Sequence, residues 1–195
     1  ISSPVGKVLA KPAIDVVGDV VISLSKNSTA NKIRKGLKDK ILKYYQNGNP
    51  LYIVAHSLGT VYAFDVVNEL IADNNYFDRN DPLNWPVQGM ITLGSPLGLR
   101  MFKSTGRNNA RNLGDGQFNF KWMNYFDVND PVVSGDIFGK RLNNYKIAEN
   151  YRKGTASQGW FIRDYPTDTG KTWLLAHTAY WNVAAVGEGL VNMLV

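Results

Sequence analysis

The sequence predicts an α/β fold, a mostly parallel sheet with helices on both faces, in a single domain spanning residues 1–195. Three observations carry that expectation. Short β-prone apolar runs alternate with stretches of helical spacing. One run, Leu51-Tyr52-Ile53-Val54-Ala55, is apolar throughout, as strands covered on both faces of a parallel sheet are. It leads directly through His56-Ser57-Leu58-Gly59 into a helical pattern, so strand, sharp turn and helix form one unit. A chain of 195 residues is long enough for one substantial core and too short to assume two.

Along the chain, residues 13–24 read as a helix interrupted by Gly18, and 25–30 as a connection. From 31 to 46, Ile33, Leu37, Ile41 and Tyr44 or Tyr45 recur at helical spacing, and Asn47-Gly48-Asn49-Pro50 stops the helix. After Gly59, Val61, Phe64, Val67 or Asn68, and Leu70 or Ile71 predict a buried helix ending near Asp73. Residues 78–86 are turn-rich, and Val87–Leu93 reads as a strand ending in Gly94-Ser95-Pro96. Residues 103–117 are polar and read as a surface excursion bordering a site, 120–126 as a third strand, and 145–151 as a weaker fourth. From His177 onward a closing helix is expected, with Tyr180, Val183, Ala184 and Val191 available for burial.

Composition narrows the chemistry. Hydrophobic residues at 44% and charged residues at 19%, with five Trp, ten Tyr and eight Phe, belong to a globular chain. With no cysteine, disulfides, thiolate metal sites and cysteine nucleophiles are excluded. Residues 1–12 lack the features of a signal peptide, and no apolar run approaches the roughly 20 residues that span a bilayer. The expectation is therefore a soluble chain with no transmembrane segment; its compartment stays open, with the cytoplasm favoured, and its oligomeric state stays open too. The net charge of +6 attracts polyanions in general. Lys32, Arg34, Lys35, Lys38, Lys40 and Lys43 are nonetheless expected on the solvated side of one helix, so no nucleic-acid partner is predicted. Two histidines without paired-ligand spacing argue against a metal, and no cofactor is implied. Asp168-Thr169-Gly170-Lys171-Thr172 ends like a phosphate-binding loop but lacks its first glycine and a preceding strand.

Ser57 is the first candidate for chemistry. A serine hydroxyl needs a general base, a group that orients the base, and donors for the oxyanion that forms. At a strand-to-helix elbow the serine stands clear of the sheet and the N–H of the next residue points at the developing charge. Ala55 and Gly59 stand two residues to either side of Ser57, where small residues relieve crowding. A plain helix N-cap is the alternative role for Ser57. Ser95, in Gly94-Ser95-Pro96-Leu97-Gly98, also follows a strand, but Pro96 has no N–H to offer an oxyanion, so Ser95 is expected to begin a turn or cap a helix.

Only His56 and His177 can serve as base. Adjacent side chains diverge at the elbow, which makes His56 a packed residue supporting the turn and leaves His177 as base, late in the chain as the order Ser, acid, His requires. The acid lies in Tyr125-Phe126-Asp127-Val128-Asn129-Asp130-Pro131-Val132. Asp130 is favoured because Pro131 and Val132 would anchor its loop; Asp127 is the alternative and Asp136 is remote.

The segments Val54-Ala55-His56-Ser57-Leu58-Gly59-Thr60, Thr92-Leu93-Gly94-Ser95-Pro96-Leu97-Gly98, Trp122-Met123-Asn124 through Asp130-Pro131-Val132, and Ala176-His177 with Tyr180 together resemble the α/β-hydrolase superfamily, in particular its bacterial esterase and lipase-like branches. The resemblance runs from about Leu51 to the C-terminus. It implies the α/β-hydrolase fold, Ser57, Asp130 and His177 as nucleophile, acid and base, and Leu58 as the residue giving a backbone oxyanion donor. It also implies an earlier strand ending in a His-Gly type loop for the second donor, and none precedes Ser57. The expectation is that N-terminal strands are missing or that the donor comes from another stretch. The predicted function is a serine hydrolase that cleaves a small-molecule or lipid ester through an acyl-enzyme on Ser57; the alternative is a catalytically silent hydrolase-like domain that binds a lipid or protein partner.

Overall fold

The computed structural model describes residues 28–45, 49–72, 87–99, 102, 121–136, 145–148 and 161–195. The expected helix at 13–24 and the polar excursion at 103–117 lie outside them. Four strands, β1 (Leu51–His56), β2 (Val87–Leu93), β3 (Lys121–Phe126) and β4 (Phe161–Pro166), pair in the order β1-β2-β3-β4, every neighbouring pair parallel. All four strands thus end at one edge of the sheet, where the loops that follow them meet, as ligand-binding loops do in open α/β sheets.

Strand alternation divides the core into two layers. Ile53, Met90, Trp122 and Ile162 are in register on one face. They pack with Ile41 of helix α1 (Ser28–Tyr45) and with Val61, Phe64, Val67 and Leu70 of helix α2 (Gly59–Ala72). On the other face, Leu93, Tyr125 and Tyr165 are in register and pack with Ile91, Tyr180, Val186 and Met193. Val186 and Met193 belong to the last helix, α5 (Ala184–Leu194). Two shorter helices, α3 (Pro131–Ser134) and α4 (Leu174–Thr178), sit at the strand ends. Helices therefore cover both faces. Full burial of a side chain such as Phe64, Leu70 or Met90 stabilises the fold by about 1.5–3 kcal/mol each. Helix α5 lies so close to the sheet that a Cβ on Gly189 would collide with the Tyr125 hydroxyl, and one on Gly89 would come within 2.8 Å of Met193 Sδ.

A polar rung crosses the first layer. Thr92, Asn124 and Asp164 are in register on β2, β3 and β4. Trp122 Nε1 donates to Thr92 Oγ1 (2.8 Å), Thr92 Oγ1 to Asn124 Oδ1 (2.9 Å) and Asn124 Nδ2 to Asp164 Oδ1 (2.8 Å). Asp164 also accepts the backbone N–H groups of Ile147 (3.0 Å) and Ala148 (2.9 Å). Each of these polar groups is thereby satisfied, which offsets the cost of taking it out of water.

Several elements differ from expectation. The fourth strand is β4, and the described part of the 145–151 segment, residues 145–148, is not strand; it docks on Asp164 instead. β1 is less buried than its apolar run predicts: Val54 is 38% exposed, and of its six residues only Ala55 is buried. Helix α1 turns Ala30, Leu37 and Ile41 inward and leaves Ile33 and Tyr44 exposed. Its basic residues are not all on a solvated side: Arg34 pairs with Asp65 (2.9 Å) and lies over the Tyr62 ring, and Lys38 pairs with Glu69 (2.7 Å), joining α1 to α2. The closing segment is broken into α4, a 3₁₀ turn over Ala179–Asn182, and α5. Tyr180 is buried as expected, but Ala184 and Val191 are exposed, while Val186, Gly189 and Met193 form the inward stripe.

Candidate active site

Ser57 follows β1 directly. Its N–H donates to Leu93 O at the end of β2 (3.0 Å), and its carbonyl accepts both Thr60 N (3.0 Å) and Thr60 Oγ1 (2.7 Å). These bonds fix a left-handed backbone at φ 55°, sparsely populated by residues other than glycine and costing about 1–3 kcal/mol. The expected crowding at Gly59 is absent: a Cβ there would meet nothing within 4 Å. Leu58 opens the first turn of α2 with a backbone N–H for which the described residues supply no acceptor.

His177 sits in α4, after β4. Its Nε2 is 2.8 Å from Ser57 Oγ and its Nδ1 is 2.8 Å from Asp130 Oδ2. Asp130 follows β3 and is fully buried; its Oδ1 accepts Val132 N (2.9 Å), so it caps α3, and its Oδ2 also accepts the Tyr180 hydroxyl (2.9 Å). A carboxylate oxygen accepts only, which places a hydrogen on His177 Nδ1 and leaves the Nε2 lone pair facing the Ser57 hydroxyl. The structure therefore brings together Ser57, His177 and Asp130 from the ends of β1, β4 and β3, and it places the Leu58 N–H beside them in sequence. A chain of this kind can accept a proton from the serine as its oxygen attacks an electrophile.

The other candidates stand apart. Asp127 is buried, but Oδ1 accepts Asn129 N (2.8 Å) and Oδ2 accepts Thr169 N (2.9 Å) and Thr169 Oγ1 (2.7 Å), so it braces the loops after β3 and β4 rather than His177. The segment that ends like a phosphate loop is thus a turn tied to Asp127, closed by Gly170 N donating to Asp168 Oδ1 (2.8 Å). Asp136 is exposed. Ser95 is buried, caps the 3₁₀ turn Pro96–Gly98 and shares a hydrogen bond with Thr60 Oγ1 (2.8 Å).

Sequence reasoning took His56 only as support for the turn and gave no role in the site to Tyr180, Gly94 or Trp173. The His56 ring lies 4.6 Å from that of His177, and its Nε2–H donates to the His177 carbonyl (2.6 Å). Burial, and then the nearby His177, hold the His56 pKa below its ordinary value. The Tyr180 hydroxyl reaches Asp130, a spacing of three residues from His177 being the sequence signal for a shared helical face. Gly94, at φ 55°, fits beneath the cluster: a Cβ would lie 2.8 Å from the Tyr180 ring, 2.9 Å from Asp130 Oδ2 and 3.1 Å from His177 Nδ1. Trp173, at φ 53°, precedes α4 and accepts Ala176 N (2.9 Å) through its carbonyl. Among the described residues only Ser57 and Trp173 combine a side chain with positive φ, and both set the position of this cluster.

Among the described residues, no group of three or more His, Asp or Glu could hold a metal ion, and no helix is long and apolar enough to cross a membrane. Compared with protein-family models, curated proteins and solved structures, the chain matches none. What the strands and helices define is the α/β class.

Proposed function

We propose that the chain is a serine hydrolase of the α/β-hydrolase type that cleaves carboxylic or related acyl esters through an acyl-enzyme on Ser57. The observation that carries this reading is the continuous Ser57–His177–Asp130 hydrogen-bonded chain at the edge where the parallel strands end. Ser57 Oγ attacks the ester carbonyl carbon while its proton passes to His177 Nε2. Negative charge on the carbonyl oxygen is received by the Leu58 N–H at the start of α2. The carbon–oxygen bond of the ester breaks, the alcohol leaves with the proton from Nε2, and the acyl group remains on Ser57. Water then attacks that carbonyl, gives a proton to Nε2, and Ser57 departs protonated with release of the acid. Asp130 holds the tautomer and offsets the transient charge on His177. Neither a cofactor nor a metal enters these steps.

Trp173, Leu175 and Trp181, exposed at 38%, 67% and 59%, flank His177 and favour an apolar acyl group, including that of a lipid ester. The test is turnover of p-nitrophenyl esters of graded chain length by the wild type and by Ser57→Ala. Turnover of at least one ester, lost in the variant, is expected; equal rates in both would overturn the reading. The second reading, a silent hydrolase-like domain that binds a lipid or protein partner, draws on a single sequence observation: no His-Gly type loop for a second oxyanion donor precedes Ser57. It predicts no turnover across the series.

A further inference from the structure

We propose that Tyr180 is a positioning residue of the same centre, which holds the Asp130 carboxylate from behind and sets the basicity of His177; the inference rests on the hydrolase reading above. The Tyr180 side chain is fully buried, and its hydroxyl lies between Asp127 N (2.9 Å) and Asp130 Oδ2 (2.9 Å). A backbone N–H can only donate, so the phenol oxygen must accept there, and its own hydrogen is aimed at Asp130. The bond's direction is thereby fixed by the fold. Burial and the Asp130 charge both push the phenol pKa up, so the hydroxyl keeps its hydrogen near neutral pH.

The bond falls on the same oxygen that receives His177 Nδ1–H. Two donors on one oxygen disperse its charge, and that charge is what stabilises the imidazolium. His177 and Tyr180 sit in adjoining helical turns, α4 and the 3₁₀ turn, so the base and the donor that tunes its partner move together. Gly94 leaves the space for this, since any Cβ at that position would enter both the Tyr180 ring and Asp130 Oδ2. Among the described residues, the groups facing His177 are Asp130, Ser57, His56 and, through Asp130, Tyr180; those facing Tyr180 are Asp127, Asp130 and His56, whose ring centroid lies 6.1 Å from that of Tyr180.

Removing the hydroxyl concentrates charge on Oδ2 and frees the carboxylate to swing. In Tyr180→Phe the His177 pKa is expected to rise by about half to one pH unit, while kcat falls roughly tenfold with KM little changed. With 3-fluorotyrosine at position 180, a slightly stronger donor of nearly the same shape, the His177 pKa is expected to fall by roughly a few tenths of a unit. The measurement is a proton–nitrogen NMR titration of the full chain, with His56→Gln separating the two histidine signals. It needs no turnover, so it decides the role of Tyr180 even if ester cleavage is absent and the hydrolase reading falls. If Tyr180→Phe does not fold, the fluorotyrosine protein carries the test alone. A His177 pKa unmoved in whichever of these proteins folds would overturn the proposal and leave Tyr180 as packing.

Discussion

The turns that follow β1 and β2 each carry a serine just before a helical turn, yet they place it in opposite ways. After β1, the serine itself takes the left-handed conformation, and its hydroxyl is presented to His177. After β2, Gly94 takes that conformation at no steric cost, and Ser95 follows in extended backbone at φ −77°, buried as the cap of a 3₁₀ turn. The two are linked, because Thr60 bonds both Ser57 O and Ser95 Oγ. Strain is carried by a side-chain-bearing residue only where the side chain is wanted at that spot, and the neighbouring strand resolves the same geometry with glycine.

The largest expected effect follows directly from the contrast. Ser57→Ala is expected to lower ester turnover by about 10⁴-fold or more, while Ser95→Ala leaves it within roughly threefold and lowers stability by about 1 kcal/mol through loss of a cap. Comparable rates for the two alanine variants would break the comparison. Steady-state kinetics and urea unfolding read both.

Next comes the pair of acids three residues apart. Asp130→Asn is expected to cost about 10³–10⁴-fold in kcat, since an amide no longer enforces the His177 tautomer. Asp127→Asn, which weakens the brace to Thr169, is expected to change kcat only a few-fold and to destabilise by about 1–2 kcal/mol. The reverse ranking would move the acid to Asp127.

The backbone contrast yields smaller effects. Gly94→Ala places a Cβ at positive φ against Tyr180, Asp130 and His177, and a loss of about 2–3 kcal/mol is expected. Ser57→Gly is expected to be more stable than Ser57→Ala by about 1 kcal/mol, both lacking the hydroxyl and only glycine relaxing φ 55°. Equal unfolding midpoints for these two would show that the elbow stores no strain.

The smallest effect is a pH dependence. His56 has a folded pKa below 6.5, so between that lower value and 6.5 the unfolded chain binds more protons than the folded one. Stability from this group is full above pH 6.5 and declines as pH falls through that window. His56→Gln is expected to flatten the fall in Tm between about pH 7 and 5. A slope identical to the wild type would remove His56 from the acid limb.

Much of the candidate site's geometry was legible because its signals are local. The apolar run, the elbow at 55–59 and a count of two histidines constrained Ser57 and His177, and Pro131 after Asp130 marked a capped helix start. β4 was not legible: Arg163 and Asp164 interrupt its apolar pattern, and Asp164 is tolerated there only because Asn124, Ile147 and Ala148 satisfy it from elsewhere in the chain. The basic face of α1 was read as solvated because Asp65 and Glu69, its partners, are 31 residues away in sequence. Tyr180 read as core for the same reason, its two polar partners being about 50 residues upstream.

The most direct test of the central claim is covalent labelling of the full chain with a fluorophosphonate, followed by mass spectrometry of the peptide that contains the modified residue. The account predicts one equivalent of adduct on Ser57, absent from Ser57→Ala and formed far more slowly in His177→Ala. Labelling that persists in Ser57→Ala, or a wild-type protein that forms no adduct, would contradict it.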